Sequence, residues 1–223
     1  FWDKWPLLLE QFGRCRKWSP FIGAGHFPDA DMLPLGVLGL GKWTSHFTRE
    51  EQFTMLTLWS MVRSPLIMGG DLTKLDDFTL SLLTNDEVLA VNQHSSGNRQ
   101  LFNRDGLIGW VADVPGARDK YLALFNTREL QTNEPSLKVG VRLAELDITG
   151  TAQVRDLWRQ QDLGPVTGEF APVLRSHSAG LYRVASARTA AVERPSSTDR
   201  YLFSYFINNG EDGLHLAWSR DGY

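Results

Sequence analysis

With a single cysteine, Cys15, the sequence can build neither an internal disulfide nor a cysteine-based zinc site. No apolar run reaches the roughly 18 residues that a membrane-spanning helix needs, so no membrane partner is expected. Basic charge is also not in excess. The 23 Lys and Arg against 26 Asp and Glu leave a formal net charge of −3, and nucleic-acid binding would ask for a basic patch. The opening "FWDKW" has neither a start methionine nor the basic-then-apolar pattern of a signal peptide. Both ends read as lying inside a longer protein.

What is present is ordinary globular material, 42% hydrophobic and 22% charged, enough for one large domain or parts of two. Eight Trp, twelve Phe and five Tyr are a heavy aromatic load. Aromatics stack on sugar rings, but their commoner role is to fill a core.

Two textures follow one another along the chain. Residues 1–95 read as alternating helix and strand. Phe1, Trp5, Leu8, Leu9 and Phe12 share a helical face, with Asp3 as N-cap and Gly13 near the helix end. In "TREEQFTMLTLWSMVRSP", Thr48 and Glu51 form a capping box, apolar residues crowd several faces, and Pro65 stops the helix. A helix of that kind is buried between layers. "PLIMGG" reads as a brief buried strand, and "LDDFTLSLL" and "NDEVLAVNQ" as two short helices, the second capped by Asn85. The alternation suggests parallel α/β architecture.

Past "HSSGN" the chain turns to short strands: "RQLFN", "LIGWVAD", "KYLALFN", "QVRDLW" and "GLYRV", split by "RDG", "VPGARD" and "LGPVTG". That spacing predicts an antiparallel β-sandwich. Residues 187–199 have linker composition, and 200–223 read as two strands about an Asn-Gly-type turn.

The stretch "GHFPDADMLPLG" concentrates the chemistry. If it is extended, Asp29 and Asp31 point the same way, about 7 Å apart, with Ala30 opposed. They could be a catalytic pair, part of a binding site, or caps for backbone N–H groups of the following turn. D-x-D also holds divalent cations in some glycosyltransferases, but no nucleotide-binding βαβ signature accompanies it here. His26 and Asp71, nearby candidates for ligand contact, are as readily structural.

The ordered succession "FWDKW", "PDADMLPLG", "EEQFTMLTLWSMVRSPLIMGGDL" and "LLTNDEVLAVNQ" resembles the C-terminal part of glycoside hydrolase family 27, the α-galactosidase clan. "LALFN", "VRDLW" and "HSAGLYRV" look like the β-domain attached to those enzymes, and the tail from Tyr201 is similar to the opening strands of the family 43 propellers. The resemblance implies a partial (β/α)₈ TIM barrel over 1–95, with "DADML" as the seventh strand and "PLIMGGDL" as the eighth. It implies a β-sandwich over 96–186, a linker over 187–199 and a propeller-like fragment over 200–223.

By the same resemblance the chemistry is retaining hydrolysis of terminal α-linked galactosyl or related residues of an oligo- or polysaccharide, without metal or organic cofactor. The family nucleophile lies in a K-Y-D-like motif that is missing here, and the acid/base is the aspartate directly before "FWDKW". No catalytic residue is therefore expected in this chain. Asp31 and Met32 are expected to contact the sugar, with Asp29 beside them holding the loop, although the Asp29–Asp31 separation lies near the range of inverting glycosidases. The expected partner is the N-terminal part of the same barrel, and a secreted or periplasmic location follows by analogy. The alternative is a non-catalytic carbohydrate-associated sandwich with a packed barrel remnant. With few barrel strands, 1–95 is expected to be partly molten in isolation while 96–185 fold.

Overall fold

A computed structural model describes residues 3–23, 25–129 and 136–186 in full, together with the backbone of 201–206 and 214–219. Helix α1 is Trp5–Trp18, followed by a small hairpin of β1 (Val37–Leu38) and β2 (Trp43–Thr44). Then come α2 (Arg49–Met61), α3 (Asp77–Leu83) and α4 (Asp86–His94).

Local signals account for most helix ends. Thr48 Oγ1 accepts from the Glu51 N–H and Glu51 accepts from the Thr48 N–H, closing the expected capping box on α2. Asp76 and Asn85 accept from the Thr79 and Val88 N–H groups and cap α3 and α4. The end of α2 is set by Arg63 at φ 57°, where the Ser64 N–H returns to the Trp59 carbonyl; Pro65 lies just beyond.

Helix α1 departs from expectation at both ends. Its N-cap is Lys4, without a side-chain cap, because Asp3 is engaged elsewhere. Gly13 lies mid-helix with open space beside it, so the helix runs on to Trp18. Leu9, expected on the buried face, is exposed, while Trp5, Leu8, Phe12 and Cys15 are buried. Phe1 lies outside the described residues.

The segments expected as barrel strands meet through one parallel bridge, Leu33 to Met68, with the Leu33 N–H bonded to the Ile67 carbonyl and the Gly69 N–H to the Leu33 carbonyl. They run side by side in parallel, as adjacent barrel strands would. With so few ladder bonds between them, neither forms a regular strand.

The second part holds β3 (Ser96–Arg104), β4 (Leu107–Asp113), β5 (Lys120–Asn126), β6 (Ser136–Lys138), β7 (Val141–Arg142), β8 (Thr151–Asp156), β9 (Gln161–Thr167), β10 (Glu169–Phe170), β11 (Val173–Arg175) and β12 (Ser178–Ser186). Six of them form one antiparallel sheet in the order β3-β4-β5-β12-β8-β9. The pairs β6–β11 and β7–β10 make the opposing layer, closed over Val111, Leu122, Leu124 and Val154 by Val139, Val141, Leu143 and Phe170. This is the expected sandwich. "LGPVTG", expected as a break, is most of β9. It is an edge strand, where Pro165 removes no needed ladder donor.

The outer face of the six-stranded sheet packs on the first part. Ile108, Trp110, Ala112, Ala123, Phe125 and Leu181 share one cluster with Trp5, Phe12, Met55, Leu58, Met61 and Val62. Strands β4 and β5 are thus buried on both faces, which explains their near-continuous apolar sequences. Where β3 crosses β4, Gly109 leaves room for the Phe102 ring that a Cβ would strike.

Strands β13 (Tyr201–Phe206) and β14 (Leu214–Ser219) pair antiparallel, as their composition predicts. Their connecting turn and the linker 187–199 lie outside the described residues.

The shared cluster joins the helices of the first part to the sheet. Leu56, Leu58 and Met61 are fully buried, each contributing about 1.5–3 kcal/mol, and part of that burial is against the sheet. Leu58→Ala is expected to cost about 2–5 kcal/mol, with helix and sheet amides losing hydrogen-exchange protection together. Thr48→Ala is expected to cost about 1 kcal/mol, read as a lowered urea midpoint at unchanged slope.

Candidate functional site

The Asp29–Asp31 step is not a plain extended segment. Asp31 has φ 81°, which breaks the alternation that would have aimed both carboxylates one way. Asp29 Oδ1 accepts from the Asp31 N–H at 2.9 Å, and Asp31 Oδ1 from the Met32 N–H at 2.7 Å. Both aspartates are exposed, and both serve local backbone.

The backbone between them is held from behind. The Ala30 N–H donates to the buried Ser64 hydroxyl, and the Trp59 indole N–H donates to the Asp31 carbonyl at 2.7 Å. The rim therefore stands on the C-terminal half of α2 and the turn after it.

Beside this rim is a cleft of about 200 Å³ lined by Met32, Pro34, Gly69, Leu38, Trp43 and Asp3. Its walls are mainly apolar. The Trp43 ring lies over Gly39, which has φ 59° and where a Cβ would collide with the ring. The one carboxylate in the wall, Asp3, is 3% exposed. Its Oδ2 takes the His46 N–H at 3.1 Å, faces His46 Nδ1 at 2.7 Å, and takes the Trp43 indole N–H at 3.3 Å. Burial raises the Asp3 carboxyl, but the hydrogen bonds and charge of His46 outweigh it and hold the group below its ordinary range. Asp3 is thus an ionised tether for the 43–46 loop, with little capacity left for chemistry.

Other candidates take structural places. His26 is exposed in a turn closed by backbone bonds to Gly23. Asp71 accepts from the Thr73 N–H and hydroxyl, capping the short turn Leu72–Lys74 and lying below its ordinary range for that reason. Cys15 is buried, and burial pushes its thiol up to about 12. Among the described residues, no group of three or more His, Cys, Asp or Glu could hold a metal ion.

Of the residues expected at the sugar, Met32 lines the cleft, whereas Asp29 and Asp31 are not among its lining residues, and Trp43 enters the wall from outside the expected set. The Gly-rich run before Trp43 was the available signal, since repeated glycines permit close packing of a ring on backbone.

Residues 6–94 match the family model described as alpha galactosidase A, and residues 105–184 match the alpha galactosidase C-terminal beta sandwich domain. Over these two stretches the chain is similar to the α-galactosidases. Alpha-galactosidase 2 of Arabidopsis thaliana is 26% identical over 185 residues, covering 81% of this chain and 43% of that protein. Alpha-galactosidase A of Cellvibrio japonicus is 37% identical over 92 residues, covering 41% of this chain and 20% of that protein. A GH27 β-L-arabinopyranosidase from Geobacillus stearothermophilus superposes with a TM-score of 0.80 at 39% identity, over 86% of this chain and 44% of that one. The chain spans about two-fifths of the length of the curated proteins it matches.

The Asp3 tether carries a pH signature. Its folded value is depressed, so its stabilisation is complete above the ordinary carboxylate range and is lost as pH falls through the depressed folded value. Urea midpoints followed from neutral pH to about pH 3 should fall less steeply in Asp3→Asn than in the unaltered protein.

Proposed function

We propose that this chain is the closing part of a catalytic barrel with its supporting sandwich, from a retaining hydrolase of terminal α-linked galactosyl or related residues. In this reading the nucleophile and the proton donor both come from outside the chain. The observation that carries it is the position of the Asp31–Met32 step. Met32 lines the cleft, and Asp31 directly precedes it next to the parallel contact of Leu33 with Met68, within a segment related to α-galactosidases. Substrate sites of (β/α)₈ enzymes are built where such strands end.

The electrostatics agree. A retaining glycosidase needs two carboxylates facing one another about 5–5.5 Å apart across the sugar. Asp3 is committed to His46 and Trp43, while Asp29 and Asp31 accept from neighbouring backbone. The cleft, at about 200 Å³, is below the ~300–1,000 Å³ usual for ligand sites, as suits a pocket whose other walls come from elsewhere. Met32, Pro34 and Leu38 would offer an apolar wall to the sugar, and an outward Asp31 oxygen would accept a hydroxyl. The residues from Tyr201 onward are read as the opening of a further propeller-like domain.

Galactose and arabinopyranose configurations differ by one hydroxymethyl group, so nitrophenyl α-D-galactopyranoside and β-L-arabinopyranoside are the substrates to compare. A longer natural form containing residues 1–223 should hydrolyse one of them with retention, and the 223-residue chain alone should not. Asp31→Ala in the longer form should lower kcat/KM by about 10- to 100-fold, the loss of a charged hydrogen bond to substrate. Turnover by the 223-residue chain would overturn the reading.

A further inference from the structure

The β11–β12 turn of the sandwich places one side chain into the barrel-like part. His177 is 15% exposed and its ring lies flat on the Trp5 indole, with centroids 3.8 Å apart and planes 11° apart. Its Nδ1 meets Glu51 Oε1 at 2.8 Å, and its carbonyl accepts from the Thr54 hydroxyl at 2.6 Å. Nε2 lies 2.9 Å from the exposed Glu129 carboxylate without hydrogen-bond alignment.

The backbone makes this placement notable. His177 has φ 57°, the left-handed region that glycine or asparagine occupies most readily in a two-residue turn. The turn itself has no need of an imidazole, whose ring contacts with Trp5 and Glu51 reach across to the first part of the chain.

What it touches leads to the cleft. Trp5 is the first residue of α1, and Asp3, two positions earlier, lines the cleft and tethers the 43–46 loop with Trp43. We infer that His177 is a positioning residue, through which the sandwich fixes the start of α1 and hence the cleft wall formed by Asp3 and Trp43. The sandwich is then a working part of the site. This inference rests on the proposed glycosidase reading for its catalytic consequence, but its structural half stands apart.

The test uses the longer natural protein with His177→Gly and His177→Asn, both of which suit the left-handed turn and remove the ring. The expected result is a kcat lowered about 10- to 100-fold, as for a misplaced site, with KM changed far less. Hydrogen exchange in residues 5–18 should quicken while β4 and β5 stay protected. Trp5→Leu should reproduce the effect, Trp5→Phe should largely rescue it, and Trp5→Leu with His177→Gly should be no worse than either alone. Unchanged kcat and unchanged exchange of α1 in both turn variants would overturn the inference. If the unaltered protein hydrolyses neither glycoside, the functional reading fails, and the exchange measurement still decides whether the ring holds α1.

Discussion

The burial of α2 on all sides is the constraint on which the rest of the structure depends. From Glu51 to Met61 every residue except Phe53 is buried. A helix in that position satisfies its own backbone, but its polar side chains must find partners inside the protein. Thr54 and Thr57 are fully buried, and each is answered from the sandwich: Thr54 donates to the His177 carbonyl, and Thr57 accepts from the Trp158 indole. Two residues that look like concessions in an apolar helix thus fix the position of the sheet. Asn85 works likewise at the start of α4, capping its helix with its oxygen and donating from its amide to the Leu157 carbonyl.

The same helix carries the cleft rim. Trp59, five residues beyond Thr54, holds the Asp31 carbonyl, and Ser64 past the helix end receives the Ala30 N–H. The other wall hangs on Asp3, whose partners lie 40 and 43 residues away at Trp43 and His46. One side of the cleft is therefore braced by packing around a helix. The opposite side is braced by a buried ionised carboxylate whose strength depends on pH.

The legible parts of the sequence were those governed by neighbours in the chain. Thr48 with Glu51 closes over three residues, Asn85 reaches Val88, and "LIGWVAD" and "KYLALFN" announce strands by composition alone. The errors came where a distant partner decided. Asp3 looks like an N-cap until His46 is folded against it. Asp29 and Asp31 look like a matched pair until the left-handed turn at Asp31 separates them. Gly164, Pro165 and Gly168 mark "LGPVTG" as a break, yet an edge strand tolerates them because one of its sides needs no ladder. The family resemblance pointed at Met32, which lines the cleft, but it said nothing of the Trp43 wall or the His177 contact, which come from residues far apart in sequence.

Two of the strained positions share a design. Asp31 and His177 both adopt the left-handed region, where residues other than glycine are uncommon. In both cases the residue's own carbonyl is held by a side chain of α2, from Trp59 and Thr54 respectively. A single left-handed residue costs roughly 1–2 kcal/mol, and one buried hydrogen bond offsets about as much, so the α2 side chains help to hold both turns. The cleft rim and the sandwich turn thus lean on the same helix, the one through Trp59 and the other through Thr54.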